Sequence, residues 1–326
     1  MKIYYNMGMY EGCNYVRCLL PLIHLGADGD YTSLLGKRVS SDQATMGMID
    51  SEIIVMQRPF EKSRMDMFKA LKESGKKIVV DNDDTYKVDV GQLESLRKEV
   101  SDNMDWFYKN ADLVTTTTDF LAEEYRKLNP NVVVLPNCVD PDDFPKPVRN
   151  RTKKVRLGLI GSVVGTNDFD HIKPLLKELS ELPNVEIVVM STKPNDGNFF
   201  ETIKVEWHEP VKVSEYFDKL NDLKLDIMLI PRKEGYFNKC KSNLKFLETS
   251  MLSIPCITDK WKDNPYTKDA DYLVMTDNWK HDIIELINDK EARKMIGDRA
   301  KKYVVKNYNI KNNINQWEKE YAKLLR

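Results

Sequence analysis

Short apolar runs alternate with stretches of helical period along almost the whole chain. In the first half, residues 2–5, 52–57 (EIIVMQ), 76–81 (KKIVVD), 112–115 and 131–135 read as buried strands. Between them, residues around 15–23, 65–74, 93–108 and 120–128 carry apolar positions on one helical face, with Gly75 closing the second and Asp119 expected to cap the fourth. Pro21 predicts a kink or early break in the first of these. The second half repeats the logic. Strands are expected at 155–160, 185–190, 203–207, 225–230, 256–258 and 272–275, and helices at 168–179 and 213–223. From Trp279 onward the chain reads as helical, with breaks near Asp289 and Asn309. Alternation of this kind implies parallel sheets covered on both faces.

Between Pro136 and Lys154 the pattern lapses into PNCVDPDDFPKPVRNRTKK, the best linker in the chain. Its basic tail is most simply a solvated approach to the next strand. The expected architecture is thus two doubly wound α/β domains, covering residues 1–148 and 149–308, with a closing helical segment at 309–326. In such sheets ligands bind at the carboxyl ends of the strands, so facing halves would form a cleft between them.

Composition adds bounds rather than identity. A chain of 326 residues suits two domains, and 41% hydrophobic with 31% charged residues is ordinary for a globular protein. The net charge of −1 gives no global basic field for nucleic acid or anionic membrane. Five scattered cysteines suggest neither a disulfide framework nor a metal site, and fit a reducing compartment. No run is long and apolar enough to span a membrane, and the first residues lack the apolar core of a signal peptide, so a cytoplasmic protein is expected. Oligomeric state has no signature.

The densest candidate chemistry lies at residues 239–259, KCKSNLKFLETSMLSIPCITD. A helix here starts just past a buried strand, which presents free backbone N–H groups and a positive dipole end to an anion. Lys241 stands beside that start and Glu248 lies further along the helix. A plain βαβ unit with Glu248 on a solvated face is the alternative. Asp81, Asp83 and Asp84 cluster at the end of another strand. Three acids within four residues suit hydroxyl groups, a divalent cation or simple helix capping. No Ser-His-Asp or Cys-His arrangement is legible, and His24, His171 and His208 read as structural.

Taken together, ADLVTTTTDFLAEEY, VVVLPNCVD, RLGLIGS, LDIMLIP, KSNLKFLETSMLSIPCITD, GCNYVRCLLP and YNIKNNINQWEKEY resemble, in order and spacing, the retaining GT-B-fold glycosyltransferases that use nucleotide sugars. The resemblance runs nearly end to end. It implies a donor held mainly by the second Rossmann-like domain, an acceptor held by the first, and a last helix returning to the first. It implies a UDP-sugar or GDP-sugar donor, with UDP favoured, and no metal or other cofactor. The acceptor would be a hydroxyl of a glycan, a lipid-linked sugar, a protein or a hydroxymethylated DNA base.

Glu248 matches the second acid of the family's Glu-x7-Glu motif, which holds the donor ribose, whereas Cys240 stands where the first acid belongs. Ser242, Asn243 and Leu244 match the segment whose backbone faces the distal phosphate. Lys241 is the expected phosphate cation, with Arg232, Lys239 and Lys245 in reserve, because Ser162 stands near the position of a basic residue in relatives. Gly161 with Ser162 matches the close-approach turn. Asp81 or Asp83 would orient the acceptor, and Arg17 would reach donor phosphate or acceptor. A nucleotide-sugar epimerase of the same fold, or a non-catalytic sugar-nucleotide-binding protein, are the alternatives.

Overall fold

The computed structural model describes residues 1–7, 11–30, 40–85, 94–161, 167–192, 200 and 202–326. The chain forms two compact units. The first comprises Met1–Asp140, Cys240–Ser242 and Tyr308–Arg326, and the second Pro141–Lys239 and Asn243–Asn307.

In the first unit, β1 (Ile3–Asn6), β2 (Asp28–Gly29), β3 (Ile53–Gln57), β4 (Lys77–Asp81), β5 (Leu113–Thr116) and β6 (Val132–Val134) form one parallel sheet in the order β2-β1-β3-β4-β5-β6. Every residue of β1, β3 and β5 is buried, as expected for strands sandwiched between helices. The order reverses between β1 and β3, so the ligand crevice of this unit lies beyond Asn6 and Gln57. Residues 15–19 form a π-helical turn that passes into the helix Leu20–Leu25, with Pro21 in its first turn. Pro21 has no N–H to give the preceding turn, and the wider π turn, in which the Leu20 N–H reaches the Tyr15 carbonyl, lies directly before it. The helix Ser41–Asp50 was not expected from periodicity, although Ser40 and Gln43 form a reciprocal capping box at its start. Thr118, not Asp119, caps the helix Asp119–Arg126 by accepting from the Leu121 N–H.

The second unit holds β7 (Val155–Ile160), β8 (Val185–Met190), β9 (Val205–His208), β10 (Ile227–Ile230), β11 (Cys256–Asp259) and β12 (Val274–Thr276), all parallel, in the order β12-β11-β10-β7-β8-β9. Leu157, Leu159, Ile187, Val189, Ile227, Leu229 and Ile257 form its core with Leu176, Leu179 and Ile283 from the covering helices. Here the reversal falls between β7 and β10, which places the crevice beyond Ile160 and Ile230. Leu244–Met251 links β10 to β11 through a tight turn. In it Ser253 takes a left-handed φ of 54° and the Ile254 N–H reaches the Thr249 carbonyl at 3.0 Å.

The chain passes from the first unit to the second at Asp140, within the proline-rich stretch. Val139 forms a parallel bridge with Asn309, which ties it to the first unit. Phe144 packs on Phe217 at 4.1 Å, and the Val148 N–H donates to Asn221 at 2.9 Å, which ties them to the second. The closing helix Asn315–Lys323 returns to the first unit, where Trp317 and Tyr321 are buried and the Tyr321 hydroxyl meets that of Tyr5 at 3.4 Å. Among the described residues, no helix is long and apolar enough to cross a membrane.

Candidate functional site

In the second unit, candidate chemistry gathers at the carboxyl ends of β7, β10 and β11. The helix Leu244–Met251 begins without a side-chain cap. Asn243, at the cap position, instead donates its amide to Asp269 at 2.6 Å, so the first helical N–H groups gain no partner from it. Glu248 sits one turn along and is only 6% exposed. Its Oε2 accepts from the Tyr216 hydroxyl at 2.9 Å and from the Lys245 ammonium at 3.0 Å. Lys245 also donates to the Tyr216 oxygen at 2.8 Å, closing a triangle.

Burial pushes the Tyr216 hydroxyl upward, and the Glu248 charge adds to it. Burial works against the Lys245 charge, but Glu248 and Tyr216 outweigh it and raise the ammonium well above its ordinary value. Gly161 follows β7 with φ of 107°, a conformation that suits glycine. A Cβ placed on it would lie 3.4 Å from Lys245 Cε and 4.0 Å from Nζ. Lys245, a reserve cation in the sequence, is therefore the one that borders the glycine turn. Ser162 lies outside the described residues.

Arg232 follows β10. Its backbone N–H donates to Asp259 Oδ2 at 2.6 Å, and its guanidinium meets Asp168 at 3.2 Å. Asp168 is held on its other oxygen by Asn238. Burial opposes ionisation of Asp259, yet hydrogen bonds from His171, Trp279 and the Arg232 N–H bring its carboxyl below the usual range. The buried Tyr266 hydroxyl is pushed up to about 12 by burial, against the pull of Arg232 and Lys245. Lys239 is spent on an ion pair with Asp263 at 2.9 Å.

The first unit treats its charges differently. Arg17, on the π-helical turn, is 1% exposed and binds Asp81 through two nitrogens, at 2.6 and 3.1 Å. It also donates to the Leu135 carbonyl at 2.6 Å and to Asn137 at 3.2 Å. Asp81, 2% exposed, takes a further bond from Thr115 at 2.7 Å. Both are enclosed and occupied by protein partners. Asp83 pairs with Arg58 at 2.7 Å; burial opposes its charge, but Arg58 and Arg17 hold its carboxyl below the usual range. Asp84 pairs with Lys241 at 2.6 Å. Each acid thus meets a cation, which leaves little negative field for a divalent ion.

The segment expected to face the phosphate divides between the two units. Lys241 and Ser242 group with the first, where the Lys241 ammonium pairs with Asp84, and Asn243 and Leu244 with the second. Ser242 accepts from the Asn137 amide at 2.9 Å. Cys240 is fully buried in the core of the first unit among Tyr108, Leu121 and Tyr125. A carboxylate at that position would be enclosed by apolar side chains, which accounts physically for an apolar residue there. Tyr216 carries no signal in the sequence; the i,i+3 spacing of Lys245 and Glu248 was the one hint of their pairing.

No protein-family model matches the chain, and no curated protein matches it in sequence. Solved structures match it in fold. Anabaena HepE in complex with UDP and glucose is 11% identical, with a TM-score of 0.70 over 99% of this chain and 100% of that one. WaaG, a glycosyltransferase involved in lipopolysaccharide biosynthesis, is 12% identical, with a TM-score of 0.62 over 97% of this chain and 98% of that one. S. aureus TarM is 12% identical, with a TM-score of 0.59 over 82% of this chain. The chain spans about half of TarM, 54% of its length. Two parallel six-stranded α/β units that match these structures identify the architecture of this chain as the GT-B fold of glycosyltransferases.

Proposed function

We propose that the protein is a glycosyltransferase that moves a hexose from a nucleoside diphosphate sugar to a hydroxyl acceptor, with retention at the anomeric carbon. The observation that carries this reading is the grouping of Gly161, Lys245 and Glu248 at the switch point of the second sheet. Glu248 offers a carboxylate to ribose hydroxyls. The glycine turn, the uncapped N–H groups of Leu244–Met251, and the cations Lys245 and Arg232 offer charge complementarity to a diphosphate. That charge supports a reaction without a required metal.

In the proposed step, the bond between the anomeric carbon and the diphosphate oxygen breaks while the acceptor oxygen bonds on the same face. The acceptor proton passes to the departing diphosphate, so no separate protein base is needed. Of the acids considered at the acceptor, Asp83 remains, since its carboxylate is less enclosed than that of Asp81. A UDP-sugar is favoured because HepE structures hold UDP, glucose and UDP-glucose. A glycan acceptor is favoured over a lipid-linked sugar, a protein or modified DNA because TarM has been solved with fondaparinux and α-GlcNAc-glycerol, and WaaG serves lipopolysaccharide.

The test is incubation with UDP- and GDP-sugars, with and without a panel of acceptors, followed by mass spectrometry. A glycosylated acceptor with the donor's anomeric configuration is expected. Epimerised sugar without transfer would instead indicate an epimerase, and binding without turnover a silent sugar-nucleotide protein.

A further inference from the structure

The carboxylate of Glu248 is not held symmetrically. Both protein donors converge on Oε2: the Tyr216 hydroxyl at 2.9 Å and the Lys245 ammonium at 3.0 Å. Oε1 has no hydrogen-bond partner among the described residues, and it is not among the enclosed polar atoms that lack one. It is therefore an accessible acceptor with open lone pairs on a residue that is otherwise 94% covered, since 6% remains exposed.

Tyr216 is itself fixed. It lies on the helix Val213–Asp222, its ring is edge-on to Phe217 at 5.5 Å, and the Lys245 ammonium stands at its hydroxyl end, 5.1 Å from the ring centroid. Phe217 is in turn packed on Phe144. A glutamate on a helix normally samples several rotamers, and ordering it on ligand binding costs free energy. Two donors on one oxygen remove that freedom in advance and turn the other oxygen outward.

We propose that Tyr216 and Lys245 are positioning residues that lock Glu248 so that Oε1 alone accepts from the ribose hydroxyls of the donor nucleotide. The proposal rests on the donor reading of Glu248 given above. It assigns Tyr216 no contact with the donor, while Lys245 also keeps its place facing the diphosphate. Lys245 keeps one N–H beyond its bonds to Glu248 and Tyr216, on the side chain that borders the Gly161 turn.

The experiment compares binding of UDP and of 2′,3′-dideoxyuridine diphosphate by calorimetry to the full chain. The wild type should prefer UDP by about 10–100-fold, the range for hydrogen bonds to a charged group. Tyr216→Phe removes one hydroxyl and no ring packing. It should weaken UDP by several-fold, leave the dideoxy ligand unchanged, and so shrink the preference. Lys245→Met removes a charge that also faces the diphosphate, so it should weaken both ligands and also reduce the preference to about onefold, and Lys245→Arg should restore part of it. A structural role alone would weaken both ligands by the same factor and leave the preference unchanged. Equal preference in wild type, Tyr216→Phe and Lys245→Met, with unchanged melting temperatures, overturns the proposal while leaving the donor reading intact. A wild type that binds neither ligand, nor GDP, overturns both.

Discussion

The two units share a fold plan but spend their charges in opposite ways. At the strand ends of the first, every acid of the cluster meets a cation: Arg17 with Asp81, Arg58 with both Asp83 and Asp84, Lys241 with Asp84. At the strand ends of the second, Lys245 and Glu248 also pair, yet a carboxylate oxygen and an ammonium N–H stay available beside a glycine turn. The Arg17–Asp81 pair secures a core, while the second arrangement is the one proposed here to hold the donor. An acid cluster or a lone lysine in a sequence does not distinguish these cases. The partners do.

The largest effect should come from breaking the first unit's buried pair. Arg17→Met leaves Asp81 charged and enclosed, and should cost about 3–5 kcal/mol of stability, read by urea unfolding. An unfolding midpoint equal to wild type would mean that the pair is not structural. A smaller effect is expected at Gly161. Its φ of 107° makes Gly161→Ala strained by about 1–3 kcal/mol, although the new methyl would meet Lys245 only at ordinary contact distance. Weaker UDP binding should accompany the loss of stability. Unchanged stability and affinity would remove the turn from the site.

The smallest effect concerns Glu206, in the second unit but away from the switch point. Arg156 holds its carboxyl at about 2, against an ordinary value of 4.5. A lowered folded value means that the stabilisation is present above pH 4.5 and is lost as pH falls toward 2. The group is well exposed, so solvent screening keeps the contribution modest. Melting temperatures should therefore fall less steeply in Glu206→Gln than in wild type across that window. Identical slopes would show that the pair does not contribute.

Much of the fold was legible. The strand at 155–160 coincides with β7, and those at 52–57 and 76–81 differ from β3 and β4 by one residue at the start. Continuous apolar runs between helical stretches leave few alternatives to parallel, doubly covered sheets. The helix Ser41–Asp50 escaped because its apolar positions are sparse and only Met48 is buried. The π-helical turn escaped because its apolar period differs little from that of an α-helix. At the site, Glu248 could be singled out from its motif, but its surroundings could not. Tyr216 joins it from another helix, 32 residues away, and Lys241 is drawn off by Asp84 across 157 residues. Such long-range pairings leave no periodic trace.

The most direct test of the donor site is calorimetric titration of UDP-glucose into the wild type and into Glu248→Gln, which keeps the shape of the side chain and removes its charge. Binding by the wild type, weakened about 10–100-fold in the variant, is the predicted result. Equal affinity in both proteins, or no binding of any nucleotide sugar by the wild type, would contradict it.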